Sequence, residues 1–111
     1  MPKVFVIESL RRSVDLSKAD SFGEIVYVFP RGFRRCGVFR HIEFGQTVLN
    51  RLHDLGFNSD EDFICIVGSM ITVSIALVAI AQTHDVFKVL LFNSSDEMYI
   101  EKRFDSNDWI K

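Results

Sequence analysis

The sequence predicts one α/β domain built on a mostly parallel β-sheet. Short runs of β-branched and other apolar residues alternate with segments of helix length, which is the order expected when helices connect parallel strands. The last two runs are joined by a turn-rich connection without a helix, which predicts a C-terminal antiparallel hairpin. The 111 residues suffice for one domain and not for two. The predicted class is therefore a single Rossmann-like or flavodoxin-like domain over residues 1–111.

The first two strands are predicted on either side of a short helix. Residues 3–8 and 24–29 are apolar runs of strand length, as expected of strands buried on both faces. Pro30 ends the second run because proline has no N–H to donate to a neighbouring strand. The segment between them begins with Asp15 and ends with Gly23, residue types that favour helix starts and helix ends, and it predicts a helix of two turns.

The middle of the chain predicts a loop, a strand and two helices. Residues 31–44 have no clean period and are predicted to form a long loop. From about Gly45 to Gly56, apolar residues recur at helical spacing and predict an amphipathic helix. Residues 63–67 predict the third strand, and the apolar segment 70–82 predicts a helix that the rest of the protein must cover nearly all round.

The C-terminal part predicts the hairpin and a short tail. Residues 86–92 and 98–104 have strand character, and residues 93–97 between them are rich in Asn, Ser and Asp, which favour turns. Residues 105–111 continue neither pattern. We expect them to form a loose C-terminal tail on the single domain.

Residues 63–83 lack charge and are about as long as a bilayer-spanning helix, so a membrane segment has to be considered. Gly68 and Ser69 divide this stretch into a strand-length and a helix-length piece, and its flanks lack the Lys and Arg bias of a membrane span. No apolar leader opens the chain. We therefore expect a cytoplasmic protein without membrane contact, in which Cys36 and Cys65, which form no CxxC pair, stay reduced.

Charge and aromatic content bear on the partners of the protein. The net charge of −2 is not that of a general nucleic-acid binder. Residues 1–51 nevertheless hold nine Lys and Arg against five Asp and Glu, whereas residues 52–111 hold four against ten. The eleven phenylalanines exceed what so small a core readily buries, and exposed aromatic surface usually contacts a partner. We expect a protein partner or self-association into a homo-oligomer.

Basic residues cluster after the predicted strands. In an open parallel sheet, ligands bind beyond the carboxyl ends of the strands, where the connections meet. A helix start and arginine side chains favour a phosphate group at such an edge. The candidate phosphate or nucleic-acid residues are Arg11, Arg12, Arg31, Arg34, Arg35, Arg40, Gly68 and Ser69. Gly68 and Ser69 satisfy no full nucleotide-binding motif, and glycine and serine at a strand-to-helix turn more often have turn and capping roles.

The loop of residues 31–41 allows three interpretations. Phe33 and Phe39 alternate with arginines, as in proteins that stack single-stranded bases and contact phosphates. The same pattern fits a solvated loop that is anchored in the core by its two phenylalanines. It also fits a protein interface, in which Phe33 and Phe39 are the candidate contact residues.

Residues for catalysis or metal binding are poorly represented. His41, His53 and His84 lie on different predicted elements without ligand spacing, so no metal site is expected. Cys36 lies near arginines that would lower its pKa, but no general base accompanies it. Ser69 lacks the glycine-flanked turn of a hydrolase nucleophile. We expect neither an enzyme nor a bound cofactor.

Two stretches carry a family resemblance. Residues 22–29 (FGEIVYVF) and residues 62–69 (DFICIVGS), together with the apolar helix that follows, resemble small α/β proteins encoded by tailed bacteriophages. The resemblance covers most of the chain and implies a protein that acts in an infected bacterium, on a host factor or during genome handling. It transfers no catalytic or binding residue.

These observations favour a non-enzymatic binding module that acts through protein contacts, in line with a phage accessory protein directed at a host factor. The alternative is a nucleotide or nucleic-acid binder that uses the basic loop of residues 31–41 and the helix start at Gly68 and Ser69. Binding of phosphate is expected to weaken steeply with salt, whereas an aromatic protein interface is expected to tolerate salt.

Overall fold

A computed structural model describes residues 2–8, 16–29, 41–93 and 95–108. These residues form five strands, two α-helices and two short 3₁₀ helices. The strands are β1 (Lys3–Glu8), β2 (Glu24–Phe29), β3 (Phe63–Ile66), β4 (Val86–Asn93) and β5 (Met98–Asp105), the α-helices are α1 (His41–Asp54) and α2 (Met70–Thr83), and the 3₁₀ helices are Asp20–Phe22 and Ser106–Asp108.

The five strands form one sheet in the order β2-β1-β3-β4-β5. Strands β2, β1, β3 and β4 are parallel to one another, and β5 pairs with β4 antiparallel. Val4 at the centre of the parallel part pairs with Ile25 on one side and Phe63 on the other. This order is the flavodoxin-like one with an antiparallel edge strand, so the predicted fold class is confirmed.

Side chains of β1 alternate between the two faces of the sheet. Phe5 and Ile7 point into a core that contains buried side chains of both α1 and α2, so both helices cover the same face, here called the helical face. Val4 and Val6 point to the opposite face. The helices approach closely at Gly45, where an added Cβ would lie 3.3 Å from Ala79 Cβ.

The opposite face is covered by residues 16–22. The sequence predicted a two-turn α-helix here, and the structure instead has a turn followed by the 3₁₀ helix Asp20–Phe22. Leu16, Ala19 and Phe22 pack on this face, and their spacing of three matches the three-residue period of a 3₁₀ helix. Backbone bonds of the i to i+3 type, from Ala19 N to Leu16 O and from Phe22 N to Ala19 O, follow this period.

Helix α1 begins at His41 and is therefore one turn longer than predicted. The reason is Phe44, which is buried with Val48 and Leu52 at helical spacing and stacks on Phe29 with ring centroids 5.2 Å apart. The C-terminal end is as predicted, because Gly56 has a φ of +78° that glycine adopts without strain.

The uncharged stretch of residues 63–83 folds as β3, a three-residue turn and α2. Within the described ranges no helix is long and apolar enough to cross a membrane. The turn before β3 is held by the buried carboxylate of Asp62, which accepts the N–H of Lys3 at 2.8 Å and that of Asn58 at 2.7 Å. The residues of the charged run 60–62 thus differ in role, since Asp60 and Glu61 are exposed.

The hairpin is confirmed, with each strand extended by one residue at its C-terminal end. The first residues of the predicted tail are held to the sheet, since Asp105 ends β5 and Ser106 N donates to Asp85 O at 2.8 Å. Residues 109–111 lie outside the described residues.

Candidate functional site

The carboxyl ends of β2, β1 and β3 lie at one edge of the sheet because these adjacent strands are parallel. The connection from β1 to β2 runs through residues 16–22 on the opposite face, whereas α2 follows β3 on the helical face. The connections that follow β1 and β3 thus run to opposite faces of the sheet. In many α/β proteins, ligands bind at the carboxyl ends of two adjacent strands whose connections separate in this way.

Gly68 and Ser69 lie at this edge, at the start of α2. Gly68 has a φ of +123°, which favours glycine, and Ser69 is the N-cap residue, whose carbonyl accepts the first helical bond from Val73 N at 2.9 Å. The other predicted site residues lie outside the described residues. They are Arg11, Arg12, Arg31, Arg34, Arg35 and Arg40 for phosphate and Phe33 and Phe39 for a protein interface.

The described surroundings of this helix start are mainly apolar. A cavity of about 320 Å³ beside it is lined by Ile66, Val67, Gly68, Met70, Val73, Ser74 and Leu77. Thr72, in the first turn of α2, is buried, and its hydroxyl has no hydrogen-bond partner among the residues described. The described part of the edge thus provides the backbone N–H groups of the helix start, and no charged side chain lines this cavity.

Arg51 is a basic residue that lies against β2 and was not predicted as functional. Its Nε donates to the carbonyl of Val28, and its guanidinium lies 5.5 Å from the centroid of the Phe29 ring. A cation above an aromatic face is stabilised by the ring quadrupole. Arg51 therefore covers part of the edge strand, a role that its position in a helical pattern did not reveal.

The outer side of α2 is the largest departure from the sequence prediction, which placed this helix in the core. Met70 is 83% exposed, Ile71 63% and Val78 57%, although none of the fourteen residues of α2 is charged. On α1, Ile42 is 63% exposed. Large apolar side chains exposed together on one surface usually mark a contact site.

Two apolar grooves flank this exposed side of α2. The groove towards α1 has a volume of about 590 Å³ and is lined by His41, Ile42, Gly45, Gln46, Leu49, Ser74, Ile75, Val78, Ala79 and Gln82. The groove towards the hairpin has a volume of about 320 Å³ and is lined by Leu77, Val78, Ala81, His84, Asp85, Phe87, Phe104 and Ser106. Val78 lines both grooves and therefore stands on the ridge between them.

Strand β5 also has exposed apolar side chains on the helical side of the sheet. Ile100 pairs with Leu91, whose side chain packs on the core of the helical face, so Ile100 points to the same side as the helices. Ile100 and Met98 are exposed there. We name the exposed surface of Ile42, Met70, Ile71, Ser74, Val78 and Gln82 on α1 and α2 the apolar helix face.

The titratable groups of the described residues do not assemble into a reactive site. No three His, Cys, Asp or Glu side chains come together in a metal-binding group within the described ranges. His84 packs edge-on against Phe57 at 5.4 Å between centroids, and its Nδ1 lies 2.9 Å from Thr83 Oγ1. Burial raises the pKa of the Cys65 thiol to about 11, against a smaller lowering by its hydrogen bond with Tyr99, so it stays protonated at neutral pH.

The geometry thus defines an α/β protein of flavodoxin-like strand order, with an apolar helix face and a strand-end edge at the start of α2. A family model described as phage Pam3 gp32-like protein matches residues 2–106. The chain belongs to this phage family, which confirms the resemblance to phage proteins. Neither the curated proteins nor the solved structures contain a match to the chain.

Proposed function

We propose that this phage protein is a non-enzymatic binding module that acts in the cytoplasm of the infected bacterium through protein contacts. The apolar helix face is its contact surface. Burying apolar side chains against a partner removes their surface from water, at roughly 25 cal/mol per Å². Because α2 has no charged residue, a partner that covers it need not strip water from an ion.

The exposure of Val78 on α2 is the observation that carries this proposal. Val78 is more than half exposed in the middle of an uncharged helix, with an apolar groove on each side. A partner that places side chains into these grooves surrounds Val78 and excludes water from it. Residues in this position at the centre of an interface contribute most to the free energy of binding.

The test compares Val78→Asp with Tyr27→Asp. Tyr27 is exposed to a similar degree but lies on the opposite face, where it pairs with Val6. Each purified full-length variant is used to capture proteins from bacterial host lysate, with and without nuclease, and self-association is measured in parallel. Loss of every protein contact in Val78→Asp, with retention in Tyr27→Asp, supports the proposal. Unchanged contacts in Val78→Asp contradict it.

A second candidate function is the binding of a nucleotide or nucleic-acid phosphate at the strand-end edge. Its support is the divergence of connections between β1 and β3, next to the backbone N–H groups at the start of α2. Filter binding of single-stranded DNA and of ATP across a salt series tests it. If this function is correct, the affinity for DNA or ATP falls steeply with salt and is lost when Arg34 and Arg35 are both replaced by Ala. Binding that is absent or independent of salt excludes this function.

A further inference from the structure

The side chains on the outer side of α2 form one continuous row. Met70, Ser74, Val78 and Gln82 follow one another at intervals of four residues, and all four are exposed. Residues four apart on a helix form a ridge, and such a ridge packs into the groove beside a second helix. The groove towards α1 lies directly alongside this row, because Ser74, Val78 and Gln82 also line it.

We propose that a second copy of this chain covers the apolar helix face, so that the α2 ridge of each copy lies in the α1–α2 groove of the other. This proposal rests on the proposed function, because it names the partner of the same surface. The contact is isologous, with both copies using the same residues about a two-fold axis. A ridge next to a groove on one surface is self-complementary in this way.

The row also fixes where the axis passes. Its four residues are symmetric about a point between Ser74 and Val78, so antiparallel α2 helices place Ser74 of each copy opposite Val78 of the other. Met70 of each copy then lies near Gln82 of the other. The antiparallel arrangement also sets the positive end of one helix dipole beside the negative end of the other.

Charge and side-chain size both permit this contact. A two-fold axis brings identical residues together, so a charged row would repel its own copy, and α2 has no charge. Gly45 and Ala79 lie between the helices at the groove, and Ser74 is small, so the helix of a second copy can approach closely. Small residues at a helix contact reduce the interaxial distance.

The available area is sufficient for a dimer. Fourteen residues at 1.5 Å each make α2 about 21 Å long, and a groove about one helix diameter wide on each side makes the face roughly 30 Å across. The buried surface is then on the order of 600 Å² per copy and about 1,200 Å² in total, which is the lower end of specific protein interfaces. An interface of this size is consistent with a dimer of micromolar affinity, which dilution dissociates.

The first experiment measures the mass of the full chain by sedimentation over a concentration series that brackets this affinity. We expect a monomer–dimer equilibrium. Val78→Asp is expected to weaken it by on the order of 30-fold or more, the effect of a central contact residue, and Tyr27→Asp is expected to leave it unchanged. Circular dichroism checks that each variant is folded, which is expected because both positions are exposed. A wild-type chain that stays monomeric, or a Val78→Asp dimer of equal affinity, overturns the proposal.

The second experiment tests the axis by disulfide cross-linking. Ser74→Cys and Val78→Cys are made separately in a Cys36→Ser background, leaving the buried Cys65 as the only other thiol. When the two proteins are mixed and oxidised, the mixed disulfide is expected to form in excess over either self-disulfide. A statistical mixture of the three products contradicts this placement of the axis.

The two proposals fail in different ways. If the chain is monomeric and Val78→Asp loses a host protein that Tyr27→Asp retains, the dimer is wrong and the contact surface stands. If a dimer forms and neither it nor any host contact depends on Val78, both proposals are wrong.

Discussion

The helical face of the sheet is covered by two helices of fourteen residues, whereas the opposite face is covered by residues 16–22. Two lysines add to this shorter cover. Lys18 Nζ donates to Glu97 O at 2.6 Å, and Lys88 Nζ lies 4.4 Å from the Phe63 centroid while donating to Glu61 O at 3.1 Å. Long basic side chains can cover apolar surface with their stems while the charge stays near water.

The helical face has the larger cover but leaves more apolar surface exposed. Polar or charged residues are exposed at the margin of the opposite face, including Glu101 and Arg103 on β5. The outer side of α2 has no charged residue. This difference is what the proposed contact surface predicts, because a partner would cover the apolar side chains that are exposed on the helical face.

The largest predicted effect concerns the core of the helical face. Phe44→Ala removes a fully buried ring that stacks on Phe29, and we expect it to lower the free energy of unfolding by about 3–5 kcal/mol. Phe92→Ala, on the opposite face, removes a ring that is about half exposed and is expected to cost less than about 1 kcal/mol. Urea denaturation measures both. Equal losses contradict the placement of Phe44 in the core and of Phe92 at the surface.

The next effect is an alkaline loss of stability from the opposite face. The pKa of buried Cys65 is raised to about 11 from an ordinary value of 9.0, so its contribution is complete below pH 9 and is lost as the pH rises through 11. The loss is expected to be on the order of 2–3 kcal/mol, since one pKa unit corresponds to about 1.36 kcal/mol. Cys65→Ala cannot ionise at this position. The protein with Cys65 and the Cys65→Ala variant are compared, both carrying Cys36→Ser. The difference between their free energies of unfolding is expected to narrow as the pH rises from 9.0 to about 11. A difference that stays constant with pH would mean that Cys65 has the same pKa in the folded and unfolded protein, which contradicts the prediction.

A smaller effect is expected at Gly23, where the cover of the opposite face ends. A Cβ on Gly23 would lie 2.3 Å from the carbonyl oxygen of Pro2, so Gly23→Ala must displace backbone. We expect a loss of about 1–3 kcal/mol and faster thiol labelling of Cys65 beneath this cover. Gly45→Ala on the helical face is the matched control, with a Cβ contact of 3.3 Å to a side chain, and is expected to change stability by less than about 1 kcal/mol. Unchanged Cys65 labelling in Gly23→Ala refutes the prediction.

The strands and the hairpin could be predicted because apolar runs, Pro30 and the turn residues before Met98 are local signals. The start of α1 was missed because residues 31–44 show no clean helical period. Phe44 is held in the helix by its packing on Phe29 of β2, and this tertiary contact leaves no local pattern. The short helix before Gly23 was predicted as α because Asp15 and Gly23 are residue types that favour helix starts and ends, and these signals do not distinguish an α-helix from a turn with a 3₁₀ helix.

The exposed side of α2 could not be predicted from its composition. An uncharged helix predicts full burial within one chain, but two helices on one face give α2 a neighbour on its α1 side and leave its outer side open. Burial depends on how many elements the chain supplies to cover the helix. The predicted arginine site stays a prediction, because Arg34, Arg35 and Arg40 lie outside the described residues.

The smallest effect is expected for Val78→Asp, and it separates an interface residue from a core residue. Val78 is 57% exposed, so we expect the monomer to lose no more than about 0.5 kcal/mol of unfolding free energy when it is replaced. Ala76→Asp, two residues away and fully buried, places a charge in the core and is expected to prevent folding. Denaturation of Val78→Asp at a concentration that keeps it monomeric measures its loss of stability, and circular dichroism shows whether Ala76→Asp folds. A large loss in the monomer would mean that Val78 stabilises the fold itself, and its loss of partner binding would then say nothing about the apolar helix face.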